Sequence, residues 1–196
     1  MNVRFIDPKT GNTVYPEPLT PAVNATPGMA TNVPPLGAPV VHPLLIGRAT
    51  LSWDVRVPIQ AHAAHWNQPE LDKLAESATH PPTTELSLQS PHLPWEIRVR
   101  PKAPNVFVTV YDLLATIQAA LKPEITLQEW ARFGRAGKRS VVAAKRIRIR
   151  ECGPDEQVEE EFRHPRRIDA LRNLTLFAGL VPTPHCSFDL KFERRC

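Results

Sequence analysis

Two segments of the chain alternate apolar and polar positions in nearly the same order: LSWDVRVP at residues 51–58 and LPWEIRV at residues 93–99. In each, a tryptophan and two aliphatic residues occupy every second position, and an acidic residue and an arginine stand between them. Because successive side chains of a strand point to opposite faces, this period of two predicts a β-strand with one buried and one exposed face. We expect Trp53 and Trp95 to be large core side chains on the buried faces. The alternative is a ligand-stacking pair that lines a groove.

A short apolar run and a turn-like break precede each of these segments, GRAT in one case and QSPH in the other. Residues 42–57 and residues 84–99 are therefore predicted as two similar β-hairpins, which together make a four-stranded antiparallel sheet. The spacing and the tryptophan–aspartate pair are also typical of a β-propeller. That interpretation is rejected, because only two copies are present and the rest of the chain has a helical pattern.

The clearest helical pattern begins after the second predicted hairpin. Thr109 and Asp112 have the spacing of a capping box, and Pro123 ends the pattern. Between them, apolar residues repeat as on the buried side of a helix, at Val110, Leu113, Leu114, Ile117 and Leu121. Thr126 and Glu129 predict the start of a second helix in the same way.

The remaining segments predict shorter elements. PELDKLAESA and HPRRIDALRNL fit short helices, CGPDEQ fits a turn, and LFAGLVP leads out of the last helix. KRSVVAAKRIRIRE fits a helix, although RIRIRE also alternates as a strand does. SFDLKFE predicts a closing strand with Phe188, Leu190 and Phe192 inward. This order of elements predicts an α+β fold, an antiparallel sheet of two similar β-hairpins plus a C-terminal strand, packed by two to three helices.

Proline is unusually frequent, at 22 of 196 residues, and eight of these prolines precede Val40. They stand among Asn, Thr, Gly and Ala, so this segment has little to bury and many fixed φ angles. We therefore predict a Pro-rich disordered N-terminal arm over residues 1–40 and a single α+β domain over residues 41–196. The arm is suited to presenting extended proline-rich segments to other proteins.

The first residues contain no apolar stretch typical of a signal peptide, and no run of apolar residues is long enough to span a membrane. The chain has three cysteines without metal-ligand spacing, which predicts reduced thiols at Cys152, Cys186 and Cys196. The expected location is therefore intracellular, either cytoplasmic or nuclear.

The chain lacks the common motifs of catalysis and cofactor binding. It has no Gly-x-Ser-x-Gly, no phosphate-binding glycine loop and no dinucleotide fingerprint, so no catalytic residue and no cofactor are predicted. His185 and Cys186 are adjacent in sequence, which does not bring their side chains together as a catalytic pair. Asp112 and Asp169 are predicted to cap helices rather than to form an acid–base pair.

The strongest electrostatic feature is a basic run at residues 132–150, with no acidic residue between Glu129 and Glu151. As a helix, this run places basic side chains along one flank, which predicts a partner-binding surface. The candidate residues are Arg135, Lys138, Arg139, Lys145, Arg146, Arg148 and Arg150. Acidic residues follow at 155–161, and they can neutralise the basic run if the chain folds back.

Three functional hypotheses follow. The first is a non-enzymatic protein-interaction module with a protein partner. The second is an enzyme whose cleft lies near the histidines between the predicted hairpins. The third is a weak nucleic-acid binder that uses residues 132–150, although aromatic residues for base stacking are few there. A metal pair at His62 and His65, with His80, His92 or Asp54 as third ligand, has no known ligand spacing, so no metal site is predicted.

The order of the motifs HPLL, LSWDVRVP, ATHPPTTELSL, LPWEIRV, VTVYDLLATIQAAL and RRIDALRNLTLFAGL resembles a family of uncharacterised proteins of mushroom-forming fungi, the basidiomycetes. That family is catalogued only as a domain of unknown function. The resemblance covers residues 41–191, and its most specific pieces are the ATHPP stretch, the LPW strand start, the VTV-x-DLL helix entry and the D-x-L of the last helix. It implies a compact fungal domain behind a disordered Pro/Ser-rich segment, and it implies no catalytic residues.

Overall fold

The computed structural model describes residues 5–6, 13–14, 39–47, 51–64, 66–183 and 187–194. The chain divides into two units, Met1–Leu36 and Gly37–Cys196. In the first unit, strand β1 (Phe5–Ile6) pairs antiparallel with strand β2 (Thr13–Val14). The predicted disordered arm over residues 1–40 falls almost entirely outside the described residues, and the predictions for His65, His185, Cys186 and Cys196 fall outside them as well.

The second unit contains two sheets. Strand β3 (Val40–Val41) pairs antiparallel with β4 (Thr79–His80). The larger sheet has the order β6-β5-β8-β7 and is built from β5 (Leu86–Ser90), β6 (Leu93–Val99), β7 (Leu176–Thr183) and β8 (Ser187–Glu193). Together with the helices, this confirms the α+β prediction. The predicted purely antiparallel pattern is wrong, because β5 and β8 run parallel to each other.

One half of the larger sheet comes from the predicted part of the chain, and the other half does not. The hairpin of residues 84–99 is confirmed as β5 and β6. The prediction of a hairpin at residues 42–57 is wrong. Its described part contains a short 3₁₀ helix at Pro43–Leu45 and a single bridge from Asp54 to Leu176. Its place in the sheet is taken by the antiparallel pair of β7 and β8, and β7 includes the LFAGLVP segment that was predicted to lead out.

The two repeated segments differ in their acidic residue, which explains why residues 93–99 form a strand and residues 51–58 do not. Asp54 accepts hydrogen bonds from the backbone and the guanidinium of Arg56, and the backbone N–H of Val57 donates to the Asp54 carbonyl at 2.9 Å. A short aspartate side chain reaches its own backbone two residues on and so favours a turn. Glu96 is one methylene longer, and its carboxylate instead accepts from Ser87 across the hairpin.

Six α-helices are present among the described residues, more than the two to three predicted: α1 (Ile59–Ala63), α2 (Gln68–Ala75), α3 (Val110–Leu121), α4 (Leu127–Arg132), α5 (Arg135–Glu151) and α6 (Pro154–Phe162). Both predicted capping boxes, at Thr109 and Thr126, are confirmed. The CGPDEQ segment is not a simple turn, because Gly153 caps α6 and Pro154 suits its first position. None of these helices combines the length and the apolar character that crossing a bilayer requires.

The core lies between the sheet and α3, and Trp53 is its largest fully buried side chain. Its ring packs at 6.2 Å, centroid to centroid, from Phe177 of β7, and its Nε1 donates to the carbonyl of Val57 at 2.9 Å. Trp95 is only partly buried and packs at the edge of the core beneath Phe133. The prediction of a core side chain is therefore confirmed in full for Trp53, and Trp95 is a boundary residue.

Candidate interaction surface on the long basic helix

Helix α5 carries all seven residues predicted for the partner surface. Its inner side is marked by the buried Val141 and Ala144, and Arg148 continues the same side four residues later. This spacing of three and four residues is that of one helix face. It explains why the RIRIRE segment continues the helix rather than forming a strand.

Four of the seven predicted residues lie together on the outer side of α5, and we call them the arginine stripe: Arg135, Arg139, Arg146 and Arg150. Their separations of four, seven and four residues place them on one face, over a length of about 22 Å at 1.5 Å per residue. All four side chains are exposed. Within the part of the chain that the structure describes, none of the four forms an ion pair. The stripe is therefore a row of uncompensated positive charges.

A shallow depression of about 430 Å³ lies along the stripe. Its floor combines apolar groups of Val142 and Ala143 with the indole of Trp130, and its rim carries Arg139 and Arg146. The Lys138 ammonium lies 5.6 Å from the centroid of the Trp130 ring, over its face. The charged row thus has an apolar recess in its middle, large enough for a side chain of a partner.

Of the three other predicted residues, Lys138 lies over Trp130, and Lys145 and Arg148 are bound to α6 and the segment that follows it. The Lys145 ammonium donates to the backbone carbonyls of Glu161, at 3.1 Å, and of Arg163 at the end of α6. The Arg148 side chain is 14% exposed and forms ion pairs with Asp169 at 2.8 Å and with Glu160 at 2.6 Å. These two residues fasten α6 and the following 3₁₀ helix (Arg167–Leu171) to α5, and they are not part of the free surface.

Glu160 of α6 is the centre of a buried charge cluster. Its carboxylate accepts hydrogen bonds from Arg148, from Arg163 at 3.1 Å and from Arg166. Burial alone would raise the pKa of Glu160, but the hydrogen bond from Arg148 and the charges of the three arginines outweigh it, so the pKa lies below its ordinary value. The acidic segment therefore folds back onto the inner side of α5 and does not cover the arginine stripe.

A cleft of about 500 Å³ lies between α5, α6 and the turn at Asp54. Arg56 forms ion pairs there with Asp54 at 2.9 Å and with Glu151 at 2.5 Å. Burial would raise the pKa of Asp54, but its bonds to Arg56 outweigh this and lower it. Most charges that line this cleft are thus paired with one another, which makes it a weaker candidate for ligand binding than the stripe.

The structure describes some of the histidines of the predicted site and not His65. His62 of α1 packs edge-on against Trp66, with ring centroids 5.6 Å apart, and His80 of β4 is exposed. His92 is partly buried between β5 and β6, where burial first, and then the charges of Arg172 and Lys191, lower its pKa. Among the described residues, no three or more side chains of the metal-binding types converge. His65 lies outside those residues, and the enzyme hypothesis stays a prediction.

The two aspartates predicted as helix caps have that role. Asp112 completes the capping box of α3, where its Oδ2 accepts from the backbone N–H of Thr109 at 3.3 Å. Asp169 accepts from the backbone N–H of Arg166 at 2.8 Å and also binds Arg148. The second contact was not predicted. The spacing of Arg148 from Val141 and Ala144 is the sequence feature that could have identified it.

In a comparison with protein families, the chain matches the model described as Family of unknown function (DUF6699) over residues 51–186. This range is well over half of the chain and includes the arginine stripe, the depression and α6. A search of curated proteins found no match, and neither did a search of solved structures.

Proposed function

The chain belongs to the DUF6699 family of unknown function, and we propose that it is a protein-interaction module whose arginine stripe binds acidic segments of partner proteins. The observation that carries this proposal is a row of four exposed arginines on α5, none of which forms an ion pair with a residue that the structure describes. A fungal and intracellular setting, as the sequence predicts, is compatible with such a module and is part of the proposal.

The chemistry of the stripe favours carboxylates as ligands. A guanidinium stays charged at any physiological pH and presents paired N–H donors that match the two oxygens of a carboxylate. Arg148 makes this kind of contact inside the domain, where its Nε and Nη2 donate to the two oxygens of Asp169 at 2.8 Å and 3.0 Å. The same groups on the outer side of α5 are free to make it with a partner.

The depression adds an apolar anchor to this charge recognition. Val142, Ala143 and the indole of Trp130 present apolar surface beside Arg139 and Arg146. Burial of one aliphatic or aromatic side chain in such a recess contributes more than a solvated ion pair does. We therefore expect the partner segment to combine several acidic residues with one central apolar residue.

A protein is favoured over a nucleic acid by two features. Trp130 is the one indole beside the stripe among the described residues, and Lys138 already covers one face of its ring, so a platform for stacking bases is missing there. Helix α6, which packs on α5, also carries Asp155, Glu156 and Glu159 on its exposed sides. These carboxylates repel an extended polyanion, whereas a short acidic peptide can avoid them.

Replacement of the four stripe arginines by glutamine is expected to weaken binding of an acidic peptide by about 10–100-fold, because each exposed pair contributes up to about 1 kcal/mol. The probe is a fluorescent peptide of glutamates with one central leucine, and the readout is fluorescence anisotropy at low and at physiological salt. The fold should be unaffected, since all four side chains are exposed.

A control variant removes four positive charges from a part of the surface outside α5. Lys73, Arg98, Arg100 and Lys102 are exposed and lie on α2, on β6 and in the loop after β6, so their replacement by glutamine should leave peptide binding unchanged. An equal loss in both variants would mean that net charge alone attracts the peptide. Tighter binding of duplex DNA than of the peptide, with a steep decrease as salt increases, would favour the nucleic-acid hypothesis instead.

A further inference from the structure

The exposed face of α6 has the composition that the arginine stripe is expected to bind. Asp155, Val158, Glu159 and Phe162 are separated by three, one and three residues, so they share one side of the helix. Phe162 is 86% exposed and Val158 is 62% exposed. Among the described residues, Phe162 is the most exposed large apolar side chain. This face alternates carboxylates with apolar groups.

Among the residues that the structure describes, the apolar side chains Val158 and Phe162 of α6 are not buried against the rest of the domain. The helix buries a single residue, Glu160, and it is fastened to α5 through ion pairs and through the bonds of Lys145 to its last carbonyls. A helix held by polar contacts gains nothing from an exposed phenylalanine at its end, and an exposed apolar group of this size usually marks a contact surface. Within the described residues Asp155 forms no ion pair, and Glu159 forms one, an exposed contact of 3.4 Å with Arg163 that an arginine of another molecule can replace.

The stripe and the exposed face of α6 cannot meet within one molecule. Helix α6 lies on the side of α5 that carries Arg148 and Lys145, whereas the stripe arginines occupy the outer side. Both surfaces point to solvent, and their charges are opposite. The α6 face of another molecule of the same chain can therefore cover the stripe.

We propose that α6 of a second copy docks on the arginine stripe, with Asp155 and Glu159 paired to stripe arginines and Phe162 in the depression beside Trp130. This inference rests on the proposed function, since it names one occupant of the same surface. Each copy carries both halves, so a two-fold dimer makes the contact twice, and a head-to-tail arrangement makes it once per junction. One helix face is small for a permanent interface, so the association is reversible and competes with acidic partners.

Sedimentation velocity of the full chain, over protein concentrations from about 10 μM to about 1 mM, tests the proposal. We expect concentration-dependent self-association that weakens as salt is raised. The variant Val158→Ser with Phe162→Ser should sediment as a monomer, and so should the stripe variant with four glutamines. The control is Leu127→Ser, because Leu127 is 84% exposed but lies on α4 outside the depression. It should associate as the wild type does.

An equimolar mixture of the two monomeric variants gives the sharpest result. One variant keeps an intact stripe and the other keeps an intact α6 face, so the mixture should form a heterodimer that neither variant forms alone. A wild-type chain that stays monomeric at all concentrations overturns the inference. So does self-association that persists in both variants, since it would use another surface.

The anisotropy experiment separates this inference from the proposed function. If the wild type stays monomeric but its stripe still binds the acidic peptide, the second copy is excluded as occupant and the proposed function stands. If the wild type neither associates nor binds the peptide, both are overturned. Circular dichroism of each variant confirms that the fold is intact, as expected for replacements of exposed side chains.

Discussion

Replacement of Trp53 by alanine is expected to lower the free energy of unfolding by about 3–5 kcal/mol, the usual range for a fully buried aromatic residue. The indole is completely buried, packs on Phe177 and donates to the carbonyl of Val57. Its removal leaves a cavity beside β7 and takes one of two donors from the carbonyl of Val57, which keeps the bond from Gln118 at 2.8 Å. Urea unfolding followed by circular dichroism measures the loss.

Trp95→Ala is the matched control for this prediction. Trp95 is partly exposed, and its ring contacts Phe133 edge-on and lies 5.2 Å from the guanidinium carbon of Arg167. Its buried Nε1 has no hydrogen-bond partner to lose. We expect a loss of about 1–3 kcal/mol, smaller than for Trp53. Similar mild losses in both variants would contradict the buried position of Trp53.

Replacement of Arg148 by methionine is expected to cost about 3–5 kcal/mol, because the buried Asp169 loses its ion-pair partner and the buried Glu160 loses one of its three arginines. The side chains of Glu160 and Asp169 are 7% and 2% exposed, so neither can recover its hydration. Burial would lower the pKa of Arg148, but its hydrogen bonds to Asp169 and Glu160 outweigh this and raise it, so the wild-type residue stays charged. The same unfolding experiment measures the effect.

The triple variant Arg148→Met, Glu160→Gln, Asp169→Asn tests whether the unpaired charges cause the loss. It removes the carboxylates together with the arginine, and we expect it to be more stable than Arg148→Met alone. A triple variant that is less stable than the single variant would show that the packing of the three side chains, rather than the charge, determines stability.

The pH dependence of stability gives an independent readout of this cluster. The pKa of Glu160 is lowered in the folded state. The stability that its carboxylate contributes is therefore fully present above the ordinary pKa of 4.5, and it is lost as the pH falls through the lower pKa of the folded state. Without Arg148 the pKa is lowered less. We therefore expect the stability of Arg148→Met to decrease less steeply than that of the wild type as the pH falls below 4.5.

The parts of the fold that sequence predicts well are those determined by local interactions. The capping boxes at Thr109 and Thr126, the apolar stripe of α3 and the alternation of β6 and β8 depend on neighbouring residues, and all are present. The repeated alternation of residues 51–58 and 93–99 does not distinguish the two segments, because aspartate and glutamate occupy the same place in the pattern and act differently in the fold. Asp54 bonds to its own backbone and forms a turn, whereas Glu96 does not.

Strand β7 was missed because its pattern is interrupted. The register shifts between Phe177 and Gly179, and Gly179 has a φ of +105° that favours glycine. A side chain at this position would lie 2.4 Å from the backbone nitrogen of Gly47, so the close approach of two distant segments requires glycine here. Such a tertiary contact leaves no periodic signal in the sequence.

The candidate surface is predicted as one basic helix, but its seven residues do not share one role: four form the stripe, Lys138 covers Trp130, and Lys145 and Arg148 bind within the domain. In the sequence they form a single charged run, and only their position around α5 separates the exposed stripe from the buried Arg148. The burial of Glu160 among three arginines was not predicted, because it depends on the fold of α6 against α5. Charge content is visible in a sequence, whereas charge compensation is a tertiary property.

The most direct test of the proposed surface is a charge exchange across it. Arg139→Glu with Arg146→Glu reverses the two arginines at the depression, and anisotropy compares this variant with the wild type on the acidic peptide and on a matched peptide with lysine in place of glutamate. If the stripe pairs directly with carboxylates, the wild type binds the acidic peptide, and the variant loses it and binds the lysine peptide instead. A variant that binds the acidic peptide as tightly as the wild type would contradict the account.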